Sequence, residues 1–438
     1  MIDEKDVQQN TLVCKRSMSI TSFLCYALIF SYVVFGNAMT FNLGERLPVK
    51  ISEIVLVVAF VPLFLKEFLL PLLNGGKTLD KPAVLLFAWG AFSFVLSVIS
   101  TFRYRFAFRE FLVGNLYLVR FLITAFTAYL AAGYIKKAGE TERTLKFVVF
   151  CYFVVGIIGL FQLVFYPIAY DWYSIFWNAG VYFPEADPHI SRLVSTYFDP
   201  NYLASCLVIP FASLIFLIKK EFERRTEKSL KSIAAYMCLS FFFLIVVFLT
   251  KSRSGILGIG ALLFFYLSIS GVKDGKINFA IYGVLALFCV AAVLLVAFSN
   301  VSVFKRIREV FTDPSAAARF DNWRKSFGIL ADTKYAGFGY NFLGAYLTLG
   351  GNDITMASGH GLDSSLLLAL VTTGAVGFLI FLAHCFSLLA GFRNKKVFGA
   401  LVLTSLVICN TNNLLFYGLW VFPFYFIVNF CGDYIKSL

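Results

Sequence analysis

The chain has 438 residues, 59% of them hydrophobic and only 14% charged, with a net charge of +13 and a mean hydropathy of +0.80. A soluble globular protein is nearer half apolar and a quarter charged, so this composition predicts an integral membrane protein. It also turns the positive charge from a nucleic-acid signal into a question of membrane side. Most of the nine cysteines sit inside apolar runs (Cys25, Cys151, Cys206, Cys238, Cys289, Cys409) without metal-ligand spacing. They read as small buried hydrophobes, not as disulfides or a zinc site. The first apolar run is not followed by a small-residue cleavage site and reads as a retained span.

Twelve runs approach the roughly 20 residues needed to cross a bilayer core. They cover 18–38, 51–69, 83–100, 113–135, 147–168, 202–218, 232–250, 254–270, 277–298, 363–390, 397–410 and 414–432. The fold expected is an all-α polytopic membrane protein of about 12 transmembrane helices, with a large helical extracytoplasmic loop between spans nine and ten. Four regions follow: 1–145 with spans one to four, 146–298 with spans five to nine, 299–362 as the loop, and 363–438 with the last three spans. An even span count and the basic N-terminus (Lys5, Lys15, Arg16) place both termini in the cytoplasm. On that assignment the outer segments carry ten arginines against five lysines. Arginine matches phosphate or carboxylate oxygens with a planar, bidentate fork, so the outer face reads as anion-binding, against a plain alternative of interfacial snorkelling.

In chain order, TFRYRFAFREF (101–111) alternates Arg103, Arg105 and Arg109 with aromatics and reads as an interfacial segment. Arg120 lies inside a span, where a charge usually faces the protein interior or a wet cavity. In 171–201, Trp172, Tyr173, Trp177, Tyr182 and Phe183 suggest an interfacial belt or sugar-stacking rings. Arg192 follows, and then Pro200, flanked by Asp199 and Asn201 as candidate helix caps. LTKSRSGILG (249–258) is a tight reversal that holds Lys251 and Arg253 at the bundle mouth. A Walker A sequence and an internal repeat are both lacking, which argues against ATP-driven transport by this chain and against inverted-repeat transporters.

The polar stretch from Ser299 to Gly377 is the longest interval of its kind. KRIREVF (305–311) and ARFDNWRKSFGILAD (318–332) have helical spacing, with Phe320, Trp323, Phe327 and Leu330 on one stripe and Arg319 four residues before Trp323. KYAGFGYNF (334–342) is a glycine–aromatic turn whose amides are candidates to meet a ligand. The stretch reads either as an amphipathic pair lying flat over the membrane mouth or as a lid over an anion site.

Four pieces, in order, resemble the O-antigen ligase/polymerase superfamily of bacterial membrane glycosyltransferases. They are RLVSTYFDPN (192–201), TKSRSG (250–255), RFDNW with GFGYNF (319–323, 337–342), and the Asp363 region. The resemblance covers about residues 145 to 435. It implies a GT-C-like glycosyltransferase bundle in the bacterial cytoplasmic (inner) membrane, acting at its outer face on undecaprenyl-pyrophosphate-linked oligosaccharide. It implies membrane lipids as surroundings, a flippase and a chain-length regulator as partners, no nucleic acid, no cofactor and, in the ligases, no metal. Arg192, Arg253 and Arg319, with Lys251 and Arg120, would bind the pyrophosphate. Trp323, Tyr340, Asn341, Tyr197 and Asn201 would shape the cavity and meet sugar.

Ligases of the family show His, then Asn, Ser or Gln, nine residues, Gly, two residues, Gly. Here Gly374 and Gly377 fit, but the first position is Asp363, followed by Ser364. Asp363 reads as acceptor base or positioning group, or as the N-cap of span ten; His360, three positions out of register, is the second choice for base. The aspartate resembles the polymerase-type members. The favoured expectation is an inverting Wzy-type polysaccharide polymerase. The alternatives are an O-antigen ligase acting on lipid A core or protein, and a non-enzymatic glycolipid flippase.

Overall fold

The structure, a computed structural model, describes residues 19–42, 48–76, 79–175, 189–224, 226–273, 276–277, 314–349, 362–390, 392 and 396–431. The ninth expected span (save Ile277), Arg306, Arg308, Trp177, Tyr182, Phe183 and His360 lie outside those residues. Eight described helices are long and apolar enough to cross a membrane: α2 (Ile51–Leu73), α3 (Lys81–Tyr104), α4 (Phe108–Lys137), α5 (Thr141–Phe165), α7 (Pro200–Arg224), α8 (Glu227–Thr250), α9 (Arg253–Ser270) and α12 (Ser365–Ala390). Three shorter apolar helices, α1 (Ile20–Phe35), α13 (Lys396–Ile408) and α14 (Gly418–Cys431), match expected spans in position. The chain is thus a mainly helical, multi-pass membrane protein. The helices α6 (Ala169–Ser174), α10 (Pro314–Asp332) and α11 (Leu343–Leu349) lie between spans. Two small antiparallel hairpins interrupt the helices: β1 (Thr40–Asn42) with β2 (Pro48–Lys50), and β3 (Val272–Lys273) with β4 (Lys276–Ile277).

Local chemistry sets the helix starts. Asp80 accepts from the Ala83 amide at the head of α3, and Asp199 accepts from the Asn201 and Tyr202 amides at 2.6 and 3.1 Å at the head of α7, with Pro200 at the first helical position. Both satisfy amides that have no intrahelical partner. The capping expected of Asp199 is therefore seen, whereas the Asn201 side chain does something else, described below. Between spans the chain reverses tightly where Arg105 and Lys251 adopt left-handed conformations at the ends of α3 and α8.

Helix pairs close through small residues, which allow near backbone approach where lipid gives no hydrophobic drive for association. α4 buries Ala125, Ala128, Ala131 and Ala132 and packs along α14; α9 packs along α13, and α12 along α3. At the centre Trp89 of α3 stacks on Phe416 at 5.6 Å and meets Tyr340 edge-on at 5.7 Å. Such ring pairs contribute roughly 0.5–1.5 kcal/mol beyond their burial.

Tyr340 reaches that centre because residues 333–342 are a wedge, which corrects the expectation that the amides of this turn meet a ligand. The Phe338 and Gly339 amides both donate to the Thr372 carbonyl at 2.8 Å, the Tyr340 amide donates to Ser93 Oγ at 2.8 Å, and the Ala375 amide donates to the Tyr335 carbonyl at 3.0 Å. The wedge thus enters between α3 and α12, and its amides are used by the protein itself. α12 breaks to receive it at Gly374 (φ +66°), facing Gly337 (φ +74°); a Cβ at Gly337 would stand 2.6 Å from the Thr372 carbonyl oxygen. The wedge explains physically why glycine is needed at 374.

α10 also differs from its expected stripe. Phe320 and Phe327 are exposed, while Ser326, Ile329, Leu330 and Thr333 are buried. Ser326 and Thr333 can be buried because their hydroxyls bond back to the Asn322 and Leu330 carbonyls at 2.6 and 3.1 Å. Hydrophobic pattern alone assigns such positions to the wrong face.

Candidate functional site

α3, α5, α8 and α13 finish, and α2, α4, α7, α9, α12 and α14 begin, at one end of the bundle, where most of the motif residues collect. Arg192, 8% exposed, ties the first two motifs together. Its Nε donates to the Thr250 carbonyl at 2.9 Å, its Nη2 donates to Asn201 Oδ1 at 3.1 Å, and Nη1 lies 3.3 Å from His189 Nδ1. Ser252 Oγ donates to the same Asn201 oxygen at 2.9 Å. Asn201, expected to meet sugar or cap α7, is therefore the acceptor that joins the 192–201 and 250–255 segments. A buried guanidinium needs such acceptors, because an uncompensated buried charge costs several kcal/mol.

The net continues into the C-terminal spans. Ser252 and Ser254 hydroxyls are 2.8 Å apart, and Asn412 Nδ2 donates to Ser254 Oγ at 3.1 Å. Beside it, Ser364 Oγ donates to Asn410 Oδ1 at 3.0 Å and Ser365 Oγ to Asn413 Oδ1 at 3.2 Å. The run NTNN (410–413) is thus a polar buckle between α13 and α14. Its signal in the sequence is three asparagines in four residues between apolar spans. Arg253 opens α9 one residue past Ser252, with Lys251 before it.

Ser364 settles one expectation about its neighbour. Its hydroxyl accepts from the Leu367 amide at 3.2 Å, the geometry of an N-cap. The cap of α12 is therefore Ser364, and Asp363 stands half-exposed just before it. Asp363 lies within electrostatic range of Tyr202, and Tyr202 stacks on Tyr417 with ring centroids 4.0 Å apart.

Beyond Tyr417 stands a second cationic group that sequence reading assigned only in part. Arg120 of α4 forms an ion pair with Glu53 of α2, both partly exposed, and donates to the Pro48 carbonyl at 3.2 Å. Lys50 Nζ rests 5.3 Å from the centre of the Tyr417 ring, and Asn37 Nδ2 donates to the Tyr417 hydroxyl at 2.8 Å. Burial, and then the nearby Arg120, lower the Lys50 ammonium to about 8, with Glu53 pulling the other way. Lys50 and Glu53 stand at the edge of a predicted span, where polar residues are routine, so their sequence carried no signal.

The remaining candidates are less central. Tyr340 is 7% exposed within the aromatic centre, yet in electrostatic range of Arg120. Asn341 is half-buried in a left-handed conformation. Tyr197 is not a sugar-facing ring: it is fully buried next to Tyr152 and Cys206. Trp172 and Tyr173 are likewise buried rather than interfacial, donating to the Ser195 and Phe198 carbonyls. Trp323 is half-buried on α10 against the cluster around Phe338 and Phe342. Arg319 lies four residues earlier on the same helix.

Residues 238–382 match the profile of a family described as O-antigen ligase. No curated protein shows a significant match to the chain.

Proposed function

Because the chain belongs, through residues 238–382, to the O-antigen ligase/polymerase superfamily, we propose that it is a polysaccharide polymerase. It would transfer a glycan from an undecaprenyl-pyrophosphate carrier onto a carrier-linked repeat unit at the outer face of the cytoplasmic membrane. The observation that carries this reading is Asp363: an aspartate, next to the Ser364 cap, stands where the ligase pattern has histidine. In the reaction, an acceptor hydroxyl oxygen attacks the anomeric carbon as the carbon–oxygen bond to pyrophosphate breaks. The bonding pair leaves with the pyrophosphate, the hydroxyl proton passes to the Asp363 carboxylate, and the anomeric centre inverts. Arg253, Lys251 and Arg319, with the Arg192 strut behind them, stabilise the charge that grows on the leaving group, as preorganised cations do best. His360 is the second candidate for the base.

The printed description of the matching family, O-antigen ligase, favours a second reading in which the acceptor is lipid A core or a protein. A deletion strain separates the two. Loss of a polymerase leaves single repeat units on the surface acceptor, whereas loss of a ligase leaves long chains on the carrier.

A further inference from the structure

A polymerase of the kind proposed above brings two carriers together, and each carries a pyrophosphate. Two such anions repel strongly at short range and cannot share one cation set, so the protein needs a second anion subsite on the other side of the acceptor base. The geometry points to Lys50 and Arg120, held beside Tyr417 by Glu53, as a pyrophosphate-binding subsite for the carrier of the acceptor repeat unit; this rests on the polymerase reading.

Three observations support the assignment. First, the group has the charge: two cations face one carboxylate, so Glu53 neutralises Arg120 and one positive charge is left. Among the described residues the Lys50 ammonium forms no ion pair and rests on the Tyr417 ring instead. A half-buried cation in that position gains most from an anion, because the desolvation of the lysine has already been met. Second, the group has the position. Lys50 lies over Tyr417, Tyr417 stacks on Tyr202 at 4.0 Å, and Tyr202 is within electrostatic range of Asp363. The two stacked rings thus link Lys50 to the neighbourhood of Asp363, and Arg192 is tied to Asn201, the residue before Tyr202. Third, the group has its own framework. Asn37 donates to the Tyr197 carbonyl and to the Tyr417 hydroxyl, both at 2.8 Å, and the Lys50 amide donates to Glu53 Oε2 at 3.0 Å. Lys50, Glu53 and Arg120 come from β2, α2 and α4, all outside the matched stretch 238–382. The matched stretch supplies Arg253, Arg319 and Asp363, so the added subsite is built from the N-terminal part of the chain.

The test is a titration of the full-length protein in nanodiscs with undecaprenyl pyrophosphate, which carries no sugar. The wild type should bind two equivalents. Lys50→Gln should weaken one class of site by about ten-fold or more, equivalent to about 1.4 kcal/mol, while Lys50→Arg keeps both classes. Arg253→Gln should weaken the other class. Inorganic pyrophosphate should compete at both, and phosphatidylglycerol at neither. A single site that depends on Arg253 and is indifferent to Lys50→Gln overturns the second subsite and leaves the polymerase reading standing. Equal loss in Lys50→Gln and Lys50→Arg overturns it as a charge-binding site and makes Lys50 a packing residue. Displacement of the Lys50 class by phosphatidylglycerol overturns it in favour of a general lipid headgroup site. No binding by the wild type overturns both the subsite and the carrier-dependent reading.

Discussion

Arg192 and Asn201 are joined by a 3.1 Å hydrogen bond, and through it two separate motifs become one structure. The Asn201 oxygen also accepts from Ser252, so a single carboxamide fixes both the guanidinium and the reversal that presents Lys251 and Arg253. Asn201→Ala should leave the largely buried Arg192 short of an acceptor, at a cost of about 1–3 kcal/mol. Thermal unfolding in detergent should show the loss, and transfer should fall with it. Asn201→Asp keeps the acceptor and should retain most of the stability.

Asp363 and Ser364 are neighbours with separable roles. Ser364→Ala should cost about 1 kcal/mol of stability through the lost cap while transfer persists. Asp363→Asn should lower turnover by about two orders of magnitude or more, the usual scale for a general base, with the melting temperature unchanged. His360→Ala should cost far less than Asp363→Asn. The reverse order would assign the base to His360.

The Lys50 ammonium should give carrier binding an alkaline limb. Lowered to about 8 in the empty site, it loses its proton as pH rises through that value, whereas an ordinary lysine keeps its proton to about 10.4. Binding of undecaprenyl pyrophosphate to the Lys50 class should therefore weaken above about pH 8, by up to ten-fold per unit. For folding the sign is opposite. Between about pH 8 and 10.4 the unfolded chain binds more protons at this residue, so Lys50 makes the protein more stable as pH rises. In Lys50→Arg the binding limb should vanish, since arginine does not titrate in this range.

Gly374 and Gly337 meet where the wedge enters α12. Gly374→Ala puts a Cβ on a φ of +66° and against the Ala336 backbone, where neither strain nor contact can be relieved by a rotamer change. The expected cost is about 2–4 kcal/mol, visible as low yield of folded protein. Gly260→Ala, where a Cβ meets nothing within 4 Å, is the matched control and should be neutral.

The spans were readable from the sequence because apolar length is a local property, and eleven of the twelve expected runs coincide with described apolar helices. Asp199 as a cap was readable for the same reason: its partners are two and three residues away. What depended on distant partners was not. The glycine–aromatic turn was visible as a turn, but nothing in KYAGFGYNF says that its amides are received by Thr372 and Ser93. Asn201 looked like a cap or a sugar ligand, since its joint use by Arg192 and Ser252 exists only in the fold. Trp172 and Tyr173 have the composition of an interfacial belt, and only the turn at 195–198 explains their burial. Lys50 gains its setting from Tyr417, 367 residues later in the numbering, a partner that no local pattern announces.

The most direct measurement of the central claim is reconstitution of the purified protein in lipid with an undecaprenyl-pyrophosphate-linked repeat unit, reading product length on a gel. The account predicts a ladder of polymers with the wild type, and unreacted single units with Arg253→Ala, Arg319→Ala or Asp363→Asn at equal protein level. A wild-type preparation that yields no ladder but transfers the glycan to lipid A core would contradict the polymerase assignment. Ladders of normal length from all three variants would contradict the site.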